Sequence, residues 1–108
     1  MNQELIELFN TLRVRTAMYL GCLSITRLRA YTGGFLHANA IHNPGSIESD
    51  TLLRFTKTLA SKYSIKKMLG WDGILLQVSG NDEKAALELF WQEWDEFCTQ
   101  QESDVNKS

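Results

Sequence analysis

The chain has 108 residues, of which 44% are hydrophobic and 22% are charged. This length and balance are typical of one globular domain and exclude a wholly disordered chain. No apolar run approaches the roughly 20 residues needed to span a bilayer. The start, Met1-Asn2-Gln3-Glu4, has neither a basic segment nor an apolar signal core. We therefore expect a cytoplasmic protein that makes no contact with membranes.

The net charge is only −2, but the charges are unevenly distributed. Residues 1–81 contain nine Lys or Arg and five Asp or Glu, whereas residues 82–104 contain eight acidic residues and the single base Lys84. A domain with one acidic end often binds a basic partner. The alternative is that these acids form the solvated side of a helix, and the sequence leaves both interpretations open.

Apolar residues recur with helical spacing in three stretches before residue 64. They predict helices at 2–14, 25–42 and 47–63. Ser24 is a suitable N-cap for the second helix, and Asn43-Pro44-Gly45 is a suitable stop. The pair Gly33-Gly34 inside this helix costs about 2 kcal/mol of helix propensity. That cost indicates either the close approach of another backbone or a break in the helix.

Residues 15–21 form a compact apolar stretch that ends at a glycine. We expect a short turn of helix or an ordered loop here, with Met18, Tyr19 and Leu20 tucked under the core. Residues 71–78 fit either a buried helix or a buried strand, because periodicity cannot separate the two in a short apolar run. No other segment alternates with a period of two, so a strand would have no partner and a helix is favoured.

The strongest predicted helix covers residues 82–100 and begins at an Asn81 or Asp82 cap. Its apolar seam consists of Leu87, Phe90, Trp94 and Phe97. The chain is thus predicted to be all-α, a compact bundle of about four to five helices in one domain over residues 1–100. Residues 101–108 contain one apolar side chain and are predicted to be a disordered tail.

The sequence contains no pattern that indicates catalysis, a metal or a cofactor. The soft ligands are Cys22, His37, His42 and Cys98, and the two histidines are five residues apart rather than the three or four that share a helix face. A Cys–His nucleophile pair has no support from spacing, and no glycine-rich phosphate loop is present. We expect a protein that is not an enzyme, with both thiols reduced and partly buried.

Basic residues could form two patches that bind nucleic acid. One would contain Arg13, Arg15, Arg27 and Arg29, and the other Lys57, Lys62, Lys66 and Lys67. The acidic C-terminal segment argues against direct nucleic-acid binding, which normally needs a strongly basic domain. The arginines of helix 25–42 are alternatively expected to pair with the acidic helix.

The outer face of the last helix is the candidate binding surface for a protein partner. Its predicted partner-binding residues are Glu88, Trp91, Gln92, Glu93, Asp95 and Glu96. Trp91 lies at the edge of the apolar seam and is either a core residue or an exposed anchor, a role in which Trp is enriched at interfaces. Trp94 lies within the seam and is predicted to be a core residue.

The motif Arg15-Thr16-Ala17-Met18-Tyr19-Leu20-Gly21, with the later Ser24-Ile25 and Gly34-Phe35, resembles a group of small bacterial proteins. Their N-terminal half reads Arg-Pro-x-Met-Tyr-Leu-Gly, and Thr16 stands here in place of that proline. Their C-terminal half has a Trp, an apolar run, a polar turn and an Ala…Phe helix. The corresponding residues here are Trp71, 74–78, 79–82 and 86–90.

Some proteins of that group resemble immunity proteins of contact-dependent growth inhibition and other polymorphic toxin systems. The resemblance implies a protein that neutralises a cognate toxin domain acting in the cytosol, and it carries no catalytic residues. Such toxins are often nucleases with basic active sites, which an acidic helix would complement. The alternative is a small interaction or regulatory module with a different partner.

Overall fold

Helices account for nearly all of the described chain. The computed structural model describes the backbone of residues 3–42 and 48–107 and the side chains of residues 5–38, 41 and 50–100. The helices are α1 (Gln3–Val14), α2 (Thr16–Leu20), α3 (Ile25–His42), α4 (Glu48–Lys62), α5 (Trp71–Val78) and α6 (Glu83–Lys107). No strand occurs in these ranges, so the predicted all-α bundle is confirmed. The described helices number six because residues 16–20 form a short helix of their own.

One apolar core joins all six helices. Most residues that the helical spacing selected in α1, α4 and α6 converge on it, whereas α3 contributes only Ile25 and Leu28 and leaves Tyr31 and Ile41 of its predicted seam exposed. The core consists of Leu5, Phe9, Leu12, Leu20, Ile25, Leu28, Leu52, Phe55, Leu59, Trp71, Ile74, Leu75, Ala86, Leu87, Phe90, Trp94 and Phe97. Trp94 is therefore a core residue, as predicted. Burying such side chains contributes roughly 1.5–3 kcal/mol each before the entropy of ordering them is subtracted.

The ambiguous segment 71–78 is helical. Gly70 precedes it in an extended conformation, with φ −72° and ψ 171°. Ile74 and Leu75 are completely buried, and α5 packs against both α4 and α6. Burial against two neighbouring helices explains the apolar run of residues 74–76 at the centre of this helix.

Two of the predicted helix caps form. The Ser24 hydroxyl accepts a hydrogen bond from the backbone N–H of Arg27 at 3.2 Å. The Asp82 carboxylate accepts one from the N–H of Ala85 at 3.0 Å, so Asp82 and not Asn81 caps α6. The predicted stop at Asn43-Pro44-Gly45 lies outside the described residues.

Neither predicted reason for the Gly33-Gly34 pair is correct. The helix α3 continues through both glycines, and a Cβ atom placed on either would meet no atom within 4 Å. No second backbone from the described ranges approaches them. Gly34 is exposed, and Gly33 borders an open groove between α3 and α4.

The short helix α2 buries fewer side chains than predicted. Leu20 is buried, as is Thr16 one turn earlier, but Met18 is 61% exposed and Tyr19 is 40% exposed. A single helical turn directs only residues four apart toward the core, which leaves the residues between them outside. Gly21 ends the turn in the left-handed conformation, φ +83°, and its N–H bonds to the Ala17 carbonyl at 2.8 Å.

The last helix is longer than predicted. Its backbone is helical to Lys107, whereas the predicted helix ended at residue 100 and a disordered tail was expected after it. Residues 101–107 are polar except for Val105 and include neither glycine nor proline, so nothing in them interrupts a helix that is already nucleated.

Candidate functional site

The six predicted partner-binding residues do not all lie on one surface of α6. Glu88, Gln92, Asp95 and Glu96 are exposed; Gln92 lies four residues after Glu88, and Asp95 and Glu96 lie three and four residues after Gln92. We call these four residues the α6 face. Trp91 is half-buried at one edge of the face, and Glu93 is only 7% exposed at the opposite edge.

Trp91 is held in place by Arg13 of α1. The Arg13 guanidinium lies over the indole, 4.9 Å from the ring centroid, and its Nη2 donates to the Trp91 carbonyl at 3.0 Å. The rings of Phe9 and Phe90 meet the indole edge-on at centroid distances of 6.1 Å and 4.9 Å. The Trp91 indole therefore packs against the core on one side and is covered by Arg13 on the other. Its position is intermediate between a core residue and an exposed anchor, the two roles that the sequence left open.

Arg13 also orients Asp95. The same Nη2 atom lies 2.8 Å from the Asp95 carboxylate, and 60% of that carboxylate side chain is exposed. An ion pair this exposed contributes only about 0–1 kcal/mol, so a partner's cation could replace Arg13 at low cost. The pair limits the number of positions that the Asp95 carboxylate occupies.

Glu93 does not belong to the exposed surface, which corrects its predicted role. Its Oε1 accepts hydrogen bonds from Lys62 Nζ at 2.7 Å and from the Tyr63 hydroxyl at 2.9 Å. Lys62 Nζ also lies 3.2 Å from the Glu96 carboxylate. Glu93 is thus an internal acceptor between α4 and α6, because the end of α4 covers this side of α6.

The pKa of both donors to Glu93 is raised. For Lys62 the main cause is its hydrogen bond to Glu93, which favours the charged ammonium. Burial is the main cause for Tyr63, and its bond to the Glu93 carboxylate adds to the effect, because both disfavour the phenolate. Both groups consequently retain their protons to higher pH in the folded chain than in the unfolded chain.

We expect stability to fall at alkaline pH through these two groups. The stabilisation is complete below the unfolded pKa values, 10.0 for Tyr63 and 10.5 for Lys62, and is lost as the pH rises through the higher folded values. Urea unfolding at pH 9 and pH 11 measures the decline. The variant Tyr63→Phe should show a smaller decline than the unmodified chain, and an identical decline would contradict the assignment.

The α6 face is less acidic than the sequence suggests. Asp95 and Glu96 are each paired with a base from another helix, Arg13 and Lys62 respectively. Among the described residues Glu88 forms no ion pair, so it carries the uncompensated charge of the face. Glu83, at the start of α6, is occupied by hydrogen bonds from Ser24 and Thr26.

Comparison with protein-family models, curated proteins and solved structures finds no match.

The arginines that the sequence grouped into a basic patch have separate structural roles. Arg29 of α3 pairs with Asp72 of α5 at 2.7 Å, and Arg27 donates to the Leu20 carbonyl at 2.9 Å, which caps the end of α2. The expectation that these two arginines pair with the acidic helix is therefore wrong. The arginine that does so is Arg13 of α1.

Neither metal ligation nor a membrane span is indicated in the described part of the chain. No three His, Cys, Asp or Glu side chains there are grouped so that they could hold a metal ion. No helix in the same ranges is long and apolar enough to cross a membrane. Cys22 and Cys98 are not joined by a disulfide, and Cys22 is exposed rather than partly buried.

A second exposed surface escaped the sequence analysis. It is centred on the exposed Tyr19 and Tyr31 at the junction of α2 and α3, and Met18 on α2 and Leu23 in the turn after it are exposed as well. The Tyr19 and Tyr31 rings meet edge-on with centroids 6.5 Å apart. We call this group the α2–α3 apolar surface. The signal for it was the length of α2, since a five-residue helix has too few turns to bury three consecutive large side chains.

Proposed function

We propose that the chain is an immunity protein, which binds a cognate toxin domain and neutralises it by covering its active site. The contact surface is the α6 face, with Trp91 at its edge. The partner is a basic protein domain that acts in the cytosol, such as a nuclease. The resemblance of residues 15–35 and 71–90 to small bacterial proteins, some of them like immunity proteins, supports this role.

The observation that carries the proposal is the arrangement of acids on one exposed helix. Glu88, Asp95 and Glu96 lie along a single side of α6 with Gln92 between them. Asp95 and Glu96 are already oriented by bases. Side chains that are held before binding lose less conformational entropy when the partner arrives. A row of carboxylates also attracts a basic surface at long range and speeds the encounter.

The decisive experiment is co-purification with the variable C-terminal domain of a large secreted protein encoded immediately upstream. A stoichiometric complex that abolishes the activity of that domain supports the proposal. A folded, active toxin domain that neither binds the chain nor is inhibited by it contradicts the proposal.

The α6 face is tested by the double variant Glu88→Lys/Gln92→Lys. It changes the charge by +3 at two exposed side chains that, among the described residues, form no hydrogen bond or ion pair. We expect affinity for the toxin domain to fall by at least about tenfold, mainly through slower association that depends on salt. Surface plasmon resonance at two ionic strengths measures both effects.

The matched control is Asp50→Lys/Gln77→Lys, which changes the net charge equally on the exposed sides of α4 and α5. Its affinity for the toxin domain should stay within about twofold of that of the unmodified chain, because only long-range attraction is altered. Equal weakening by both double variants would show that net charge and not the α6 face determines binding.

A different protein partner is the second candidate, and the α2–α3 apolar surface is the observation that favours it. Contiguous exposed apolar groups mark interaction sites more often than chance, and tyrosine is enriched in binding hot spots. Under this alternative, Tyr19→Ser/Tyr31→Ser abolishes partner capture while Glu88→Lys/Gln92→Lys has no effect. Direct nucleic-acid binding would instead appear as a salt-dependent shift of labelled RNA or DNA.

A further inference from the structure

An open groove of about 630 Å³ runs between α3, α4 and the link from Lys67 to Trp71. We call it the α3–α4 groove. Its volume lies within the range of small-molecule sites and is well above that of a packing defect. Gly33 is one reason for the opening, because the wall of α3 lacks a side chain there and a Cβ atom would meet nothing within 4 Å.

The floor of the groove is apolar. Leu36, Leu52, Ala60 and Leu69 line it, together with one edge of the buried Trp71. Leu53 and Met68 flank the opening and are largely exposed, Met68 completely so. Methionine side chains adapt readily to apolar ligands of different shapes. This lining therefore suits a flexible hydrocarbon.

The polar groups of the groove are all cationic or neutral. Arg29, Lys57 and Lys67 line it, and no carboxylate occurs among the described lining residues. The Arg29–Asp72 bond uses one of the five N–H donors of the guanidinium, so others remain for a ligand. Lys57 and Lys67 are exposed and, in the described ranges, form no ion pair. The charge of the groove is complementary to an anion.

Thr32 supplies an independent indication of a ligand. It lines the groove beside Arg29, one helical turn further along α3, and it is 1% exposed. Within the described part of the chain, its hydroxyl oxygen has no hydrogen-bond partner. Buried hydroxyls are nearly always hydrogen-bonded, and an unmet donor in apolar surroundings is costly. A ligand oxygen next to Arg29 would accept this hydrogen bond.

We propose that the α3–α4 groove binds one small aliphatic carboxylate, such as a free fatty acid. The hydrocarbon chain lies along the apolar floor between Leu52 and Leu69. The carboxylate lies at the Arg29 end, where it accepts hydrogen bonds from the guanidinium and the Thr32 hydroxyl. Lys57 and Lys67 attract it from the rim. This site is separate from the α6 face and does not depend on the toxin-binding role.

The proposal is tested by titrating the full chain with decanoate, below its micelle concentration, in a calorimeter. The structure predicts saturable binding of one decanoate per chain. Decyltrimethylammonium has the same chain with the opposite charge and should bind at least about tenfold more weakly, because the one carboxylate beside the lining residues that the structure shows, that of Asp72, is already bonded to Arg29. Equal binding of both amphiphiles, or absence of saturable decanoate binding, would overturn the proposal.

A pair of glycine variants locates the site. Gly33→Leu places a side chain in the groove and should abolish decanoate binding. Gly34→Leu makes the same change at the next residue, which does not line the groove, and should bind like the unmodified chain. Both changes favour helix formation, so loss of fold is not expected, and circular dichroism verifies this. Equal loss in both variants, or none in Gly33→Leu, would place the ligand elsewhere.

A pair of lysine variants tests whether the positive charge of the α3–α4 groove contributes to decanoate binding. Lys67→Glu reverses a lining cation and should weaken decanoate binding about tenfold. Lys66→Glu changes the adjacent exposed lysine, which does not line the groove, and should weaken it less than about twofold. Because both side chains are exposed, neither change disturbs the core. Equal effects of the two variants would contradict the proposal.

Discussion

Replacing Phe90 by alanine should lower the free energy of unfolding by about 3–5 kcal/mol. Phe90 is completely buried, and its ring lies 5.3 Å from that of Phe9, 5.7 Å from Phe55 and 4.9 Å from Trp71, measured between centroids. The variant loses these contacts from three other helices and leaves a cavity that the rigid rings around it cannot fill. Urea unfolding followed by circular dichroism measures the change in midpoint.

Leu53→Ala on α4 is the control for this prediction. Leu53 is 52% exposed, and alanine is at least as good a helix former as leucine, so stability should change by less than about 1 kcal/mol. A loss at Phe90 no larger than the loss at Leu53 would show that the aromatic cluster is not the centre of the core.

The second large effect is expected at Glu93. Glu93→Lys should lower the free energy of unfolding by at least about 3 kcal/mol, because it places a second ammonium against that of Lys62 in a largely buried position. It also removes the acceptor of the Lys62 and Tyr63 hydrogen bonds. Thermal and urea unfolding at pH 7 provide the measurement.

Glu88→Lys makes the same charge change on the exposed side of the same helix. It should alter stability by less than about 0.5 kcal/mol, since Glu88 is exposed and has no partner among the described residues. If Glu93→Lys were as stable as Glu88→Lys, Glu93 would be solvated, and its predicted place on the binding surface would be restored. The pair therefore separates a packing role from a binding role within one helix.

The helices were predictable because each buries a seam whose spacing is local to the sequence. The helical state of segment 71–78 was predicted from the absence of any other segment with which a strand could pair. That absence is a property of the whole sequence rather than of the segment. The Gly33-Gly34 pair was misinterpreted because propensity reports the cost of a glycine but not what lies beside it. Here open space and not a neighbouring backbone lies beside both residues.

The candidate site was only partly predictable from the sequence, because some of its side chains are placed by residues outside α6. The outward positions of Glu88, Gln92, Asp95 and Glu96 follow from helical periodicity. The burial of Glu93 depends on Lys62, 31 residues away, and the orientation of Trp91 depends on Arg13, 78 residues away. Periodicity within α6 carries no information about either partner.

The pairing of the first helix with the last has a consequence for folding during synthesis. The Phe9 ring centroid lies 4.8 Å from that of Trp94, and Arg13 bonds to Asp95, so Phe9 and Arg13 of α1 both pack on α6. While α6 is still inside the ribosome, the Phe9 ring lacks its contacts with Phe90, Trp91 and Trp94. Contacts between residues so distant in sequence also slow folding. The core is therefore complete only after α6 has emerged.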